Sequence, residues 1–311
     1  MGITVFFISI ASMGGVGIVL AIILAVADKK LAVEEDPRVT KALELLPGAN
    51  CGACGFAGCN AYANALIEGK VSISACKPGG NEISKKLAEL LGIEETEEMS
   101  PQVARVFCSG GLKEAVRNRF YTGVKTCTAA NLVGGEKACV YSCIGYGDCV
   151  DACPFDAIGM GKNGLPVIDL ERCTGCGECE KACPRHIIRL TGYEETVHVY
   201  CSSHDKGAVV RKVCSAGCVA CKLCERDDDT GAVTVKDELS VIDHSVDNAP
   251  VLAAKRCPTK VIRVSSPVPG YEDLFEEAKA RLDAAIAEEE SAKAAKKAAA
   301  KKAAAKKSKE T

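Results

Sequence analysis

The first charge-free stretch of the chain is also its longest. Ile3 to Ala27 carries no charged side chain over 25 residues, and Thr4, Ser9 and Ser12 are its ordinary polar groups. At ~1.5 Å per residue such a helix exceeds a ~30 Å hydrocarbon core. Nothing basic precedes Ile3, which argues against a cleaved signal peptide and for a retained transmembrane anchor. Lys29 and Lys30 follow directly, so the positive-inside rule places the N-terminus outside and the rest of the chain in the cytoplasm. Small residues recur every four positions (Ala11, Gly15; Gly17, Ala21, Ala25) and predict a face that packs on another transmembrane helix.

Beyond the anchor the pattern breaks into short amphipathic pieces. Asp36-Pro37 predicts a helix start, with Val39, Ala42, Leu43 and Leu46 on one face and a stop at Pro47-Gly48. A second helix is predicted over about Glu82–Leu91, with Ile83, Leu87, Leu90 and Leu91 inward and Gly92 as its stop. Residues 94–100 are acidic and polar and read as a linker. From Tyr271 onward the pattern is helical, with Leu274, Phe275, Ala278, Leu282, Ala285 and Ile286 sharing a face. Residues 291–311 are almost pure Ala, Lys and Glu, with eight Lys and one Glu (+7); the other 290 residues sum to −9 to give the net −2.

Composition changes the picture through cysteine. Twenty cysteines accompany only seven Tyr, seven Phe and no Trp, so a conventional aromatic core is out of reach. Disulfides need an oxidising compartment, and the topology above puts these residues in the cytosol. Zinc sites of four cysteines usually come as two separated C-x2-C pairs. Cys173-x2-Cys176-x2-Cys179-x3-Cys183-Pro184 is instead the bacterial ferredoxin run, the ligand pattern of [4Fe–4S] clusters.

Its neighbours read as variants of that run. Cys143, Cys149 and Cys153-Pro154 align without gaps on Cys173, Cys179 and Cys183-Pro184, but Tyr146 stands where Cys176 does. Cys139, four residues upstream of Cys143, is available as the replacement. The fourth Cys of each run ligates the other run's cluster. The pattern therefore predicts Cys139, Cys143, Cys149 and Cys183 for one cluster and Cys173, Cys176, Cys179 and Cys153 for another. Further on, Cys218, Cys221 and Cys224 with Cys257-Pro258 form a third set, and the complementary positions are Asp228, Asp247, Pro250 and Ala253. A whole ligand set is missing together, which predicts a module with one cluster lost. Cys51-x2-Cys54-x4-Cys59 with Cys76 predicts a separate [4Fe–4S] site among tight glycine turns. The four cysteines left over, Cys108, Cys127, Cys201 and Cys214, are candidates for a fifth cluster; Val-Phe-Cys108-Ser and Val-Tyr-Cys201-Ser echo each other. In that set Cys139 and Cys214 could trade roles.

The fold class predicted is α+β. The expected parts are a transmembrane anchor at 1–28, a 4Fe–4S domain at 33–94, a linker with Cys108 and Cys127 at 95–135, a two-cluster ferredoxin module at 136–192, a degenerate one-cluster module at 195–265 and a basic helical tail at 270–311. His186, His198, His204 and His244 show no metal-ligand spacing and read as surface or hydrogen-bonding residues. No dinucleotide fingerprint, Walker A loop or nucleophile arrangement is present, so no catalytic residue, flavin or NAD site is expected. Nucleic acid is not an expected partner.

The anchor, Ala32 to Pro37 (AVEEDP), Leu46 to Cys59 (LPGANCGACGFAGC) and Cys76 to Gly80 (CKPGG) together resemble one family over about residues 1–265. That family comprises the B subunits of the Rnf complex, the membrane-bound ion-translocating ferredoxin:NAD+ oxidoreductase. The chain is similar to the longer members, with a second ferredoxin module, and departs from them in the missing set of four. The resemblance implies an iron–sulfur protein in a bacterial or archaeal cytoplasmic membrane. It would take electrons from soluble ferredoxin and pass them to other subunits that hold the flavins, the nicotinamide site and the ion path. A membrane-tethered ferredoxin-like reductase of a redox-sensing regulator is the alternative that the residues leave open.

Overall fold

A computed structural model describes residues 2–31, 36–93, 100–247 and 249–307. The first helix, α1 (Gly2–Leu31), stands apart with its described side chains largely exposed, Met13 and Leu24 among them. The expected transmembrane helix is corrected here: among the described residues no helix is long and apolar enough to cross a membrane. The side chains of Ala11, Lys29 and Lys30, and residues 94–99 of the expected linker, lie outside the described residues.

The first compact unit is helical. In α2 (Pro37–Leu45) the Asp36 carboxylate accepts from the Arg38 N–H at 2.9 Å and from its guanidinium, which holds Asp36 below the usual carboxylate range. Helix α3 (Cys59–Ile67) and α4 (Gly80–Leu91) close over α2 with Val39, Ala42, Tyr62, Leu66 and Leu87 buried between them. Gly92 ends α4 in the left-handed conformation that the sequence predicts.

Two modules of one design follow. The first runs β1 (Gln102–Val106), α5 (Cys127–Asn131), α6 (Asp148–Asp151), β2 (Ile158–Met160), β3 (Pro166–Ile168), α7 (Glu178–Ala182) and β4 (Ile188–Gly192). The second runs β5 (Val197–Val199), α8 (Gly207–Val213), α9 (Leu223–Arg226), β6 (Val233–Lys236), β7 (Leu239–Ile242), α10 (Val251–Arg256) and β8 (Ile262–Val264). In each, the opening strand pairs antiparallel with the closing strand, β1 with β4 and β5 with β8, and a hairpin lies between, β2–β3 or β6–β7. Strand β1 falls within the stretch that reads as a linker, yet it is the first module's own edge. After each closing Cys-Pro, the third residue beyond the cysteine is left-handed: Asp156, His186 and Lys260. That turn sends Ile158, Ile188 and Ile262 inward.

The chain ends in α11 (Glu272–Lys307). Ala278 and Leu282 pack on Val251, Ala253 and Ala254 of the second module, and Phe275 packs with Val103 and Val268. Glu289 pairs with Lys255 and Arg256. Leu274 and Ile286, which share the apolar face by pattern, are exposed, because the docked face is narrower than that pattern. The four positions of the missing ligand set have structural work instead. Asp228 accepts from the Val233 N–H at 2.9 Å, Asp247 accepts from the Ala249 N–H at 2.8 Å, Pro250 opens α10 and Ala253 lies under α11.

Phe275→Ala removes a buried ring from the α11 contact and costs ~3–5 kcal/mol. Limited proteolysis should then release residues 272–307 at temperatures where the parent chain resists; unchanged resistance would mean α11 is held by its other contacts alone.

Candidate metal centres

In the helical unit, Cys51, Cys54, Cys59 and Cys76 line one enclosed cavity with Leu46 and Tyr62. Asn50, left-handed at φ 48, turns its side chain to accept the Cys59 N–H at 2.8 Å. Gly58 has to be glycine twice over: its φ is 104, and a Cβ there would meet Asn50 Oδ1 at 2.8 Å. Burial pushes the Cys76 thiol up, and the charges of Cys59, Cys54 and Cys51 push it further.

In the first module a second cavity is lined by Cys127, Cys143, Cys149 and Cys183. Cys139 is absent from that lining, and Cys127 takes the place expected for it. The local cause is Asp148 at the start of α6. Its carboxylate accepts from Cys127 N at 2.6 Å, Thr128 N at 2.9 Å and Thr128 Oγ1 at 2.8 Å. These bonds seat the first turn of α5, capped by Thr126, against the residue next to Cys149. Burial raises Cys143 to about 12 and Cys149 to about 11. The other crossed set also comes together. Cys179 is raised to about 12 by burial and then by Cys173, Cys176, Cys149 and Cys153. Backbone N–H groups point at two of these sulfurs, Ala104 to Cys173 and Ala157 to Cys153, each at 3.4 Å. Gly175 lets the loop lie against β1, where a Cβ would stand 2.3 Å from the Gln102 carbonyl oxygen.

In the second module, burial raises Cys218, with Cys257 and Cys221 adding charge, and raises Cys224, beside Cys218 and Cys221. Between the modules lies a further group. Cys108 Sγ accepts the Cys143 N–H at 3.4 Å. A Cβ on Gly110 would stand 3.3 Å from Cys214 Sγ and 3.6 Å from Cys108 Sγ, so these sulfurs flank one point. The buried Cys139 thiol is raised by burial and then by Cys108 and Cys214. Cys214 responds to Cys108 and Cys201, and Cys201, pushed up to about 11, to Cys218 and Cys108. The structure thus gathers Cys139 with Cys108, Cys201 and Cys214, and Cys127 with the first module's own sulfurs. Relative to the sets predicted from spacing, Cys127 and Cys139 exchange places. The repeat hints at this: Cys139 precedes Cys143 by the spacing with which Cys214 precedes Cys218.

Two cations that spacing does not reveal, the buried Lys137 and the half-buried Arg185, stand among these sulfurs. The Arg185 guanidinium donates to Asn131 Oδ1 at 3.0 Å and to the carbonyls of Gly134, Cys139 and Ser142 at 2.7, 3.2 and 2.8 Å. Burial lowers the Arg185 guanidinium, and thiolates at Cys139, Cys143, Cys108 and Cys127 would favour its charge. Lys137 donates to the Gly110 carbonyl at 2.8 Å, and its charge favours the Cys143 thiolate. Soft sulfur donors in fours, apolar walls, N–H groups aimed at sulfur and nearby cations are the environment of an iron–sulfur cluster rather than of a hard cation. Of the histidines, His204 meets the Asp237 carbonyl at 2.9 Å and His186 occupies a turn. His198 is buried and His244 half-buried, so of the two roles expected neither fills the surface one.

Comparison with known proteins fits this chemistry. The FeS family model, an Fe-S cluster, matches residues 46–78, and the 4Fe-4S dicluster domain matches residues 142–187. The B subunit of the ion-translocating oxidoreductase complex of Methanosarcina acetivorans is 40% identical over 257 residues, covering 82% of this chain and 97% of its own. The B subunit of the proton-translocating ferredoxin:NAD(+) oxidoreductase complex of Clostridium ljungdahlii is 42% identical over 254 residues, with 80% and 88% covered. The Na(+)-translocating counterpart of Acetobacterium woodii is 38% identical over 256 residues, with 82% and 77% covered.

Raised thiols favour the protonated, metal-free state at low pH, so protons compete with iron at every sulfur. Iron retention against a chelator should fall as pH drops from 9 to 6, about tenfold in affinity per pH unit for each proton displaced. A flat profile would mean that the Cys143 and Cys179 thiols are ionised without metal.

Proposed function

The chain belongs to the family of B subunits of the ion-translocating ferredoxin:NAD+ oxidoreductase complexes, and from that premise we propose that its sulfur sets form one continuous row. The protein is an iron–sulfur electron-transfer subunit of such a complex, and [4Fe–4S] clusters in its cysteine sets supply reversible one-electron exchange.

We assign five sets: Cys51, Cys54, Cys59 and Cys76; Cys153, Cys173, Cys176 and Cys179; Cys127, Cys143, Cys149 and Cys183; Cys108, Cys139, Cys201 and Cys214; and Cys218, Cys221, Cys224 and Cys257. The observation that carries the reading is how close neighbouring sets lie. Cys51 lies within electrostatic reach of Cys176, and Cys149 of Cys179. Cys108 accepts a hydrogen bond from Cys143 N, and Cys201 is coupled to Cys218. Each adjacent pair therefore lies within hydrogen-bonding or electrostatic reach, in the order helical unit, first module, bridging set, second module. The bridging set is itself a repeat: Cys108 and Cys201 each follow an opening strand, and Cys139 and Cys214 each precede a run by four residues.

Cys221 is the exposed cysteine of the chain, which favours the second module as the receiving end for soluble ferredoxin. The Cys51–Cys76 unit then hands electrons to other subunits of the complex, working at a membrane where ions are moved. Arg185 and Lys137 hold fixed positive charge beside the middle sets and favour their reduced, more negative state.

Anaerobic iron and sulfide analysis tests the assignment. Five sets predict about 20 Fe per chain, and Cys127→Ser and Cys139→Ser should each lower it by about 4. Iron unchanged by Cys127→Ser would sink the third set. Stopped-flow mixing with reduced ferredoxin tests the direction. Cys214→Ser should leave fast bleaching of one cluster and slow the rest at least tenfold; uniform bleaching would place the receiving end elsewhere.

A further inference from the structure

Outside the cysteine sets, one group of side chains converges without bonding to itself. Glu195 sits in the turn between β4 and β5, His198 in the middle of β5 and His244 just after β7. Each offers one ligand atom, and the three atoms lie within 4.8 Å of one another. The group is internal: His198 is 2% exposed, and the His244 and Glu195 side chains are 19% and 26% exposed.

Its hydrogen bonding is incomplete. Glu195 Oε1 accepts the Gly192 N–H at 3.0 Å, which fixes the carboxylate. Its Oε2 is 3.5 Å from His244 Nε2 and 4.0 Å from His198 Nδ1, at or beyond the limit of a hydrogen bond. His198 Nε2 and His244 Nδ1 are buried with no partner at all. These are the other nitrogens of each ring; the ones nearer Glu195 Oε2 are His198 Nδ1 and His244 Nε2, and it is these that an ion beside the carboxylate would take.

We propose that Glu195, His198 and His244 bind one divalent cation of the zinc class, as a two-histidine, one-carboxylate site independent of the iron–sulfur row. Two imidazoles and a carboxylate suit borderline ions such as Zn2+. Tetrahedral coordination at ~2.0–2.1 Å spaces donors ~3.4 Å apart, so the three need close by only about an ångström. A cavity of about 200 Å³, lined also by Arg189, Thr191 and Ser240, borders the group and leaves room for water as a fourth ligand. Burial disfavours the charged form of both rings. Neutral imidazole is the ligating form. Arg105 and Arg189 stand near His198 and limit the affinity without competing for its ring.

Such an ion would act as a clip. Glu195 follows the last strand of the first module, His198 belongs to the first strand of the second, and His244 comes from the far side of the second hairpin. Phe107, next to Cys108, packs edge-on against His198 at 5.7 Å.

The test uses the full chain with its clusters loaded anaerobically. It is equilibrated with Zn2+, stripped of free metal by gel filtration, and measured for zinc and iron together and for Zn K-edge absorption. The parent chain should retain one zinc more than His244→Ala and Glu195→Gln, with equal iron in all three. Its zinc shell should be nitrogen and oxygen near ~2.0–2.1 Å, without sulfur near ~2.3 Å. Either variant retaining as much zinc as the parent, a sulfur shell, or no zinc in the parent would overturn the site. His244 is at the edge of the group, so its truncation leaves the β5 core intact, and equal iron checks that.

Discussion

Sulfur is buried here in numbers that a protein interior tolerates only in exchange for metal. The thiols of Cys143, Cys149, Cys179 and Cys201 sit where burial pushes them to about 11 or 12, and apart from Lys137 beside Cys143 the charges that act on them are those of other cysteines. Ionised without metal, they would repel in a medium that screens poorly. Protonated, they are small apolar groups with little to hold them. Each sheet has only two strands, and α6, α7 and α9 run four or five residues. Elements of that size do not persist alone. Exchange of protons for iron at these sulfurs is therefore a folding step as much as a loading step, and the few aromatic residues follow from it.

The repeated module shows how the chain exploits this. An opening strand delivers a cysteine, a short helix or loop delivers a second, the run delivers three or four more, and the closing strand returns to pair with the first. Cysteines inside each run serve their own module. Those ahead of it, Cys108 and Cys139 in one copy and Cys201 and Cys214 in the other, face the partner copy. The same duplication that built two modules thereby built their junction.

Spacing carried much of this and failed where geometry is not periodic. The ferredoxin runs, the four-residue gap at Asp228, Asp247, Pro250 and Ala253, and the caps at Asp36 and Gly92 follow from motif and local chemistry. The exchange of Cys127 for Cys139 does not, because Cys127 reaches its set through the Asp148 carboxylate, a contact across 21 residues that no fixed spacing encodes. Glu195 and His244 meet only because β5 lies beside the hairpin that ends before His244. The charge-free N-terminal stretch shows the converse: its apolar run is plain in sequence, yet among the described residues no helix is long and apolar enough to cross a membrane. In α11 the apolar pattern is wider than the face that docks, so Leu274 and Ile286 were legible as apolar but not as outward.

The docking of α11 has an electrical meaning. Electron transfer falls off steeply with distance through packed hydrocarbon, and Ala253, Ala254, Ala278 and Leu282 form a layer of it on the flank where the second module lacks its other ligand set. On the proposed assignment the second module, with one cluster and an insulated flank, would be a terminal, and electrons entering by way of the exposed Cys221 would go on only toward the first module.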